Sequence, residues 1–224
     1  MSEWWTYTPS NFLMFSARTY YRLTERLNLA LWPAHLGALV AGVGLLALIL
    51  RRPGDRTNRI APALLAAGWL TVAWVYFWER YSTIHTAGRW FAAAFAVQAL
   101  AMLWCGVVRA RFSIAPGDGV VARAGVALLG FAIVVQPLAG RAVGRPWTQL
   151  EVGGLLPDPT VVATLGLLLA ARTACWPLWI VPAGWGLFSG MTLWSMHSPE
   201  AGMLPAITVA AVALRVRRNR PATL

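Results

Sequence analysis

The chain has 224 residues, of which 58% are hydrophobic and only 12% are charged. Soluble domains carry about 25% charged residues, so the composition excludes an ordinary soluble domain and predicts a protein embedded in a lipid bilayer. The formal net charge is +11, and all nineteen basic residues are arginine. Without lysine the chain can form neither a Schiff base with retinal or pyridoxal nor a lysine-containing phosphate loop.

The arginines fall mostly in short segments between apolar runs. Membrane orientation explains this placement, because basic residues accumulate in the cytoplasmic loops of membrane proteins. We therefore predict no nucleic-acid partner, and the lipid bilayer is the first partner that the sequence implies. Thirteen tryptophans favour the same environment, since tryptophan gathers at membrane interfaces.

The first part of the chain, residues 1–31, is too rich in charge to be a span. Leu23 and Leu27 lie on one apolar stripe with a repeat of four residues, whereas Arg22 and Arg26 lie off it. The pattern predicts an amphipathic helix in the membrane interface, preceded by an aromatic segment. A helix packed against the ends of the spans is the alternative that the same pattern allows.

Seven apolar runs follow between residues 32 and 216. A membrane span needs about 20 residues, and most of the runs are close to this length. Their predicted bounds are 32–50, 61–78, 90–108, 120–139, 159–171, 173–194 and 201–216. The fifth run is the shortest, so six spans is the alternative. Residues 217–224 form a basic C-terminal tail. The predicted fold is therefore an all-α, polytopic transmembrane helical bundle with an N-terminal interfacial amphipathic helix.

The distribution of arginine predicts the orientation of this bundle. With seven spans, twelve arginines lie on one side of the membrane and seven on the other. The richer side should be cytoplasmic, which places the N-terminus outside and the C-terminus in the cytoplasm. On this topology all three histidines and six of the eight acidic residues lie on the outer side. We therefore expect any ion or solute site at the outer end.

In the stretch 145–171, polar residues lie directly beside an apolar run of the chain. It contains an acid, a glycine pair and a Pro-Asp-Pro-Thr turn before an apolar run. We interpret Glu151, Asp158 and Thr160 as lining a pocket at the mouth of the fifth helix. For Asp158 a structural alternative is an N-cap, because Pro159 would then be the first helical residue.

Three further polar residues complete the predicted site. His85 and His197 lie on the same outer side. Gln98 lies deep in the third run, on a face of small residues that should point into the bundle. An interhelical hydrogen bond is the alternative role for Gln98, because polar side chains commonly join helices in membranes.

The sequence offers no pattern typical of catalysis or of a bound cofactor. No histidine, cysteine or carboxylate spacing is typical of a metal site, and the spans lack the histidine pair that would hold a haem. Ser195 and His197 lie within one turn, but no orienting group accompanies them. We predict that the protein is not an enzyme, and we assign no catalytic residue, metal or cofactor.

Four stretches of the chain carry a resemblance to a known family. They are EWWTYTPSNFLMFSARTYYRL at 3–23, LWPAH at 31–35, YSTIHTAGRWF at 81–91 and PDPTVVATLGLLL at 157–169. On these motifs the chain resembles a family of bacterial multi-pass membrane proteins whose function is unknown. The resemblance implies a bacterial plasma-membrane location and brings no established activity.

Two functions of different classes are compatible with the sequence. The first is a small transporter-like or ion- and solute-binding membrane protein with its site at the outer, periplasmic end. The second is a non-catalytic accessory or assembly subunit of a larger membrane complex, with other membrane subunits or further copies of the chain as partners. A transporter needs a polar path through the bundle, whereas a subunit needs an apolar surface for its partner.

Overall fold

A computed structural model describes residues 15–172 and 175–219. The aromatic segment predicted before residue 15 and the last residues of the predicted basic tail lie outside the described residues. Within the described ranges the chain is all-α and contains no β-strand. The α-helices are α1 Ala17–Ala30, α2 Ala34–Arg51, α3 Asp55–Thr71, α4 Gly88–Met102, α5 Gly119–Gly130, α6 Gln136–Ala142, α7 Pro157–Ala170, α8 Ile180–Ser195 and α9 Met203–Asn219.

Three of these helices continue as wider, π-helical turns. α3 is extended by Val72–Trp78, α4 by Leu103–Val108, and α5 by Phe131–Val135, which joins it to α6. Pro137 follows the last of these segments. Because proline has no N–H for the α-helical ladder, a change in helical pitch is expected there.

Within the described ranges, four helical segments are long and apolar enough to cross a membrane. They are Ala34–Arg51, Asp55–Thr83, Gly88–Val108 and Gly119–Ala142, and they correspond to the first four predicted apolar runs. The helices α7, α8 and α9 are shorter, with 14, 16 and 17 residues. The structure therefore supports a membrane protein with four candidate spans, and the seven-span arrangement stays a prediction.

α7 is the centre of the bundle. All of its 14 residues are buried, and it packs against α3, α5, α8 and α9. At 1.5 Å per residue it is about 21 Å long, which is shorter than the about 30 Å of a bilayer core. The other helices therefore shield α7 along its whole length, so its surroundings are protein.

Two glycines allow the closest of these packings, between α5 and α7. A Cβ atom on Gly125 would lie 2.4 Å from Ala170 N, and one on Gly166 would lie 2.6 Å from Leu129 N. Both obstacles are backbone atoms, which cannot move aside as a flexible side chain would. Small residues at such contacts let two helix backbones approach, and this packing drives helix association in lipid.

A second close packing joins α8 to α9 through Gly186 and Gly190. A Cβ atom on Gly186 would lie 2.0 Å from Thr208 Oγ1, and one on Gly190 would lie 2.0 Å from Pro205 Cγ. The spacing of these two glycines is a small-xxx-small pattern, and in this structure it is the contact face of a helix pair.

The bundle has two chemically different ends, defined by the two ends of α7. We call the end at which α7 begins the acidic end, because Glu151, Asp158 and Glu200 meet there. We call the end at which α7 finishes the basic end. There Arg218 of α9 donates to Leu169 O and Ala171 O at 2.8 and 2.6 Å, and thereby satisfies carbonyls that the helix leaves open.

α1 packs across the acidic end. Its buried face consists of Tyr20, Leu23, Thr24, Leu27 and Asn28. The Asn28 amide donates to Thr148 O and Leu150 O at 2.9 and 2.8 Å, which ties α1 to the segment after α6. These contacts favour the packed-helix alternative for this segment, and its position relative to a membrane interface stays a prediction.

Exposed tryptophans lie at both ends of the bundle. Trp32, Trp90, Trp147 and Trp194 are 63–77% exposed at the acidic end, and the basic end carries Trp104 and Trp176 at 56% and 57%. Tryptophan prefers the head-group level on both sides of a bilayer. The two groups therefore support a membrane location for the apolar helices.

The contact between α5 and α7 generates a prediction. Gly125→Ala should lower the free energy of unfolding by about 2 kcal/mol or more, because the added methyl group overpacks a rigid backbone contact. Gly44→Ala is the matched control, since nothing lies within 4 Å of that position on α2. The control should be neutral or stabilising by about 0.5–1 kcal/mol. Thermal unfolding of both variants in detergent measures this, and equal stability of the two would contradict the packing.

Candidate functional site

A buried arginine with two acidic partners lies at the acidic end. Arg145 Nη1 donates to Glu151 Oε1 at 3.0 Å, and Arg145 Nη2 donates to Glu200 Oε2. The three side chains are only 11–17% exposed. The guanidinium also lies 5.0 Å from the ring centroid of Tyr21, in cation–π geometry. The single Arg145 cation thus joins α1, the loop after α6 and the turn before α9.

Two glycines with left-handed backbone shape the loop that carries Glu151. Gly144 has φ +84° just after α6, and Gly154 has φ +84° just before α7. Side chains are strained in that conformation, whereas glycine adopts it freely. Gly154 also contacts α3 closely, because a Cβ atom on Gly68 would lie 2.9 Å from Gly154 Cα. The glycine pair noted in the sequence therefore forms a tight turn that packs against α3.

Asp158 is buried and hydrogen-bonded to α8. Trp185 Nε1 donates to its Oδ1 at 2.8 Å, and the Ser189 hydroxyl lies 3.0 and 2.8 Å from its two oxygens. The N-cap interpretation of Asp158 is wrong. The helix begins at Pro157 after Leu156, so Asp158 already lies inside the first turn and its side chain turns towards α8. A helix N-terminus favours a negative charge at this position.

Thr160 supports the turn before α7. Its hydroxyl accepts from Gly154 N at 2.7 Å and donates to Leu156 O at 2.7 Å. One turn further, Thr164 accepts from Trp69 Nε1 at 2.8 Å. With both roles of its hydroxyl occupied, Thr160 holds the loop and has no free donor for a solute.

The other three predicted site residues lie in different surroundings. His85 is packed among Phe15, Tyr81 and Phe91, and its Nδ1 accepts from Ala87 N at 3.0 Å. Burial lowers the pKa of His85, which favours the neutral ring. His197 is exposed, with φ +55°, just after α8. Neither histidine has a hydrogen bond or an ion pair with Glu151 or Asp158 in the described part of the chain.

Gln98 makes the interhelical contact. Its Nε2 donates to Leu178 O at 3.0 Å and so joins α4 to the turn before α8. It thus contacts the chain ahead of α8, whereas the partners of Asp158 are Trp185 and Ser189 within that helix. Of the six predicted site residues, Glu151 and Asp158 are the two that interact electrostatically.

The site also contains residues that sequence reasoning did not assign to it. Arg145 begins the stretch that we singled out, but its two acidic partners are 6 and 55 residues away in the chain. Trp185 and Ser189 lie 27 and 31 residues from Asp158. Their spacing of four residues places them on one helical face. That spacing is a weak signal, because many other pairs in the spans share it.

The electrostatics of the cluster follow from its composition. Burial raises the pKa of Glu151 to about 7, the nearby Asp158 adds to this rise, and Arg145 opposes it. For Arg145, burial acts to lower the pKa, but Glu151 and Glu200 outweigh it and the pKa is raised. Glu151 and Glu200 therefore share one guanidinium, and Asp158 is a third acid nearby, so the fully ionised cluster has an excess of negative charge.

In the described residues, no group of three or more histidine, cysteine, aspartate or glutamate side chains is arranged to hold a metal ion. The three histidines have separate surroundings. His35 Nε2 contacts Asn28 Oδ1 at 3.0 Å, His85 lies in the aromatic cluster, and His197 is exposed.

Comparison with protein families gives a match over residues 17–224, to a model described as a family of unknown function, DUF6064. The chain belongs to this family. The resemblance seen in the motifs is thereby confirmed for a family of unknown function. No curated protein and no solved structure matches the DUF6064 chain significantly.

The raised pKa of Glu151 in this DUF6064 protein generates a prediction. Between pH 4.5 and about 7 the folded state holds a proton that the unfolded state has lost. The free energy of unfolding should therefore rise as the pH falls from about 7 towards 4.5, by at most about 3 kcal/mol. Thermal unfolding across this pH range measures it.

Glu151→Gln should flatten this pH dependence, because the amide cannot titrate. Glu79→Gln is the control, since Glu79 is half-exposed at the same end and pairs with Arg80 outside the cluster. An unchanged pH slope in Glu151→Gln would refute the assignment of the proton to this cluster.

The partners of Asp158 generate a second prediction. Ser189→Ala should lower the free energy of unfolding by about 1–3 kcal/mol, because a buried carboxylate loses a donor. Ser195→Ala on the same helix removes a hydroxyl that donates to Met191 O of its own helix, and it should change little. The prediction is tested by comparing the unfolding midpoint temperatures of the two variants at neutral pH. Equal midpoints would contradict a structural role for the Ser189 contact.

Proposed function

We propose that this DUF6064 protein is a transporter-like, ion-binding membrane protein whose site is the buried cluster at the acidic end. The species that the cluster favours is a proton or another small cation. The observation that carries the proposal is that the buried Glu151 and Glu200 pair with the single guanidinium of Arg145, while the buried Asp158 adds a third carboxyl group to the same end. The role is non-catalytic: the Ser195 hydroxyl is bonded to Met191 O, and the neighbouring His197 is exposed.

Burial makes the excess of negative charge costly. A carboxylate that leaves water without a matching partner is destabilised, and it responds by taking up a proton or a cation. Glu200 adds to the imbalance, because its Oε1 is buried and has no hydrogen-bond partner among the described residues. Binding of one positive charge would stabilise the unmatched carboxylate and Glu200. Binding of a proton or cation should therefore raise the stability of the folded protein.

Access to the cluster comes from the acidic end. Along α7, polar side chains occur at Asp158, Thr160 and Thr164, within the part of the helix that begins at the acidic end. The remaining residues 165–170 are buried and apolar, and Arg218 donates to carbonyls at the end of the helix. We infer that an ion reaches the cluster from the acidic end, because polar side chains lie there and an apolar stretch lies towards the basic end, as one state of an alternating-access cycle requires.

The charge distribution supports an orientation for this cycle. Among the described residues, eleven arginines lie towards the basic end and seven towards the acidic end. By the preference of cytoplasmic loops for basic residues, we place the basic end with the C-terminus in the cytoplasm. The N-terminus and the cluster then face the periplasm of a bacterial plasma membrane. In this arrangement α7, α8 and α9 complete the seven segments.

Proton flux through reconstituted protein tests the proposal. Liposomes that contain the protein and a trapped pH indicator are given a potassium diffusion potential, and the internal pH is followed. We expect a flux above that of empty liposomes, and at least a tenfold loss in Glu151→Gln and in Asp158→Asn. Glu79→Gln should retain the flux, since its side chain lies outside the cluster. Wild-type flux equal to that of empty liposomes would exclude proton transport.

The accessory-subunit function has one observation in its favour. α2 is the least buried of the four candidate spans, with 17% of its residues buried against 33–44% in the others. Such a helix presents most of its surface to lipid or to another protein. If this function is correct, a cysteine at Val40, which is 73% exposed, should cross-link to one partner in fixed ratio in native membranes. Labelling by lipid probes alone would count against it.

A further inference from the structure

Two neighbouring crevices run along the inner side of α2. The first, of about 340 Å³, lies at the acidic end and is lined by Asn28, Trp32, His35 and Trp147 among others. The second, of about 310 Å³, lies deeper, where small residues of α2 face α3, α7 and the loop before α7. Leu39 and Val152 line both crevices. Neither crevice contains a residue of the acidic cluster.

The hydrogen bonds around His35 determine which ring nitrogen is free. Both N–H groups of the Asn28 amide are used by Thr148 O and Leu150 O. Asn28 Oδ1 must therefore accept, and His35 Nε2, 3.0 Å away, must donate to it. In the neutral ring the proton is then on Nε2, and Nδ1 is an acceptor. That Nδ1 is buried and has no partner in the described structure.

An unpaired buried acceptor is costly, so a ligand that donates a hydrogen bond to it is stabilised. The ring of His35 stacks with Trp32 at a centroid distance of 6.4 Å, and Trp147 lines the same crevice. This end of the groove therefore combines one hydrogen-bond acceptor with aromatic walls. Aromatic residues of this kind border the head-group level of a bilayer.

The rest of the groove selects an uncharged, apolar tail. No arginine, aspartate or glutamate lines either crevice in the described structure, so a phosphate or carboxylate head group would lack a counter-charge. The deeper crevice is lined by residues such as Leu45, Leu65 and Ile133. Its two threonines are already engaged, since Thr160 bonds the turn before α7 and Thr71 donates to Ala67 O.

We propose that this groove binds a neutral, single-chain amphiphile with a hydroxyl head. The hydroxyl donates to His35 Nδ1 between Trp32 and Trp147, and the chain lies along α2 in the deeper crevice. The low burial of α2 gives such a molecule a route from the surrounding lipid. The site is separate from the acidic cluster and does not depend on the function proposed for it.

Photolabelling of the purified protein in lipid nanodiscs tests the site. The probe is 1-dodecanol with a diazirine in the middle of its chain, and labelled peptides are mapped by mass spectrometry. We expect labels on α2 and on the facing residues 64–68 and 152–155. Unlabelled 1-dodecanol should compete about five- to tenfold better than dodecyl methyl ether, which lacks the donor, because one hydrogen bond differs.

Two pairs of variants separate head from tail recognition. His35→Phe should weaken labelling about five- to tenfold and abolish the preference for alcohol over ether, whereas His197→Phe, at an exposed histidine, should change neither. Ala38→Phe fills the deeper crevice and should block labelling there. Val40→Phe, on the exposed face of the same helix, should leave it intact.

Three outcomes would overturn the proposal. They are labels spread evenly over the bundle surface, equal competition by alcohol and ether, and labelling that persists in Ala38→Phe. If His35→Phe fails to fold, the comparison of Ala38→Phe with Val40→Phe still decides. Glu151→Gln should label as the wild type does, so the result is independent of whether the acidic cluster carries protons.

Discussion

The complete enclosure of α7 requires both of its ends to find hydrogen-bond partners inside the protein, because water cannot reach them. At its beginning, the Thr160 side chain links Leu156 O to Gly154 N. At its end, Arg218 donates to two carbonyls, and Ala115 N donates to Ala170 O at 3.3 Å. These partners come from the loop before α7, from α9 and from the segment before α5. The central helix therefore fixes the positions of its own preceding loop and of two distant parts of the chain.

The same enclosure explains why polar chemistry concentrates at the acidic end. The first turn of α7 lies where the protein interior meets the loops, so an acid there is shielded from solvent but still within reach of Arg145. α8 supplies the donors Trp185 and Ser189, and the aromatic cluster around Trp185 excludes water from the other side. A carboxylate in such a place responds to small changes in the charges around it. This sensitivity is what an ion-binding site needs.

The sequence predicted the apolar helices well, because uninterrupted hydrophobic runs of span length are typical of membrane helices. The first four runs were placed within a few residues of the helices, apart from the start of α3, where the helix begins six residues earlier at Asp55. The polar residues Arg56, Thr57, Asn58 and Arg59 of that first turn hid the helix from a prediction based on hydropathy. Asp55 in the first turn and Gly54 before it are the local signals that support this start.

The candidate site was predicted only in part. Glu151 and Asp158 were proposed because acids next to an apolar helix are rare, and Asp158 adds to the raised pKa of Glu151. The partner Ser189 of Asp158 and the second acid Glu200 on Arg145 could not be predicted, since both are distant in the chain and nothing local marks them. His85 and His197 were grouped with them by side of the membrane alone. Two residues on the same side of the membrane lie at a similar depth, but they can still be far apart in the membrane plane. His85 packs against Tyr81 in the aromatic cluster.

The capping of α7 by Arg218 has a consequence for the order in which the protein is made. α7 leaves the ribosome about fifty residues before the arginine that satisfies its last carbonyls. Until then those carbonyls are open, so we expect the nascent bundle to hold its central helix loosely. The last turn of α9 then closes the structure once Arg218 has been added. A stop codon just before Arg218 would therefore leave α1 to α9 encoded almost in full, but the last carbonyls of the central helix without this partner.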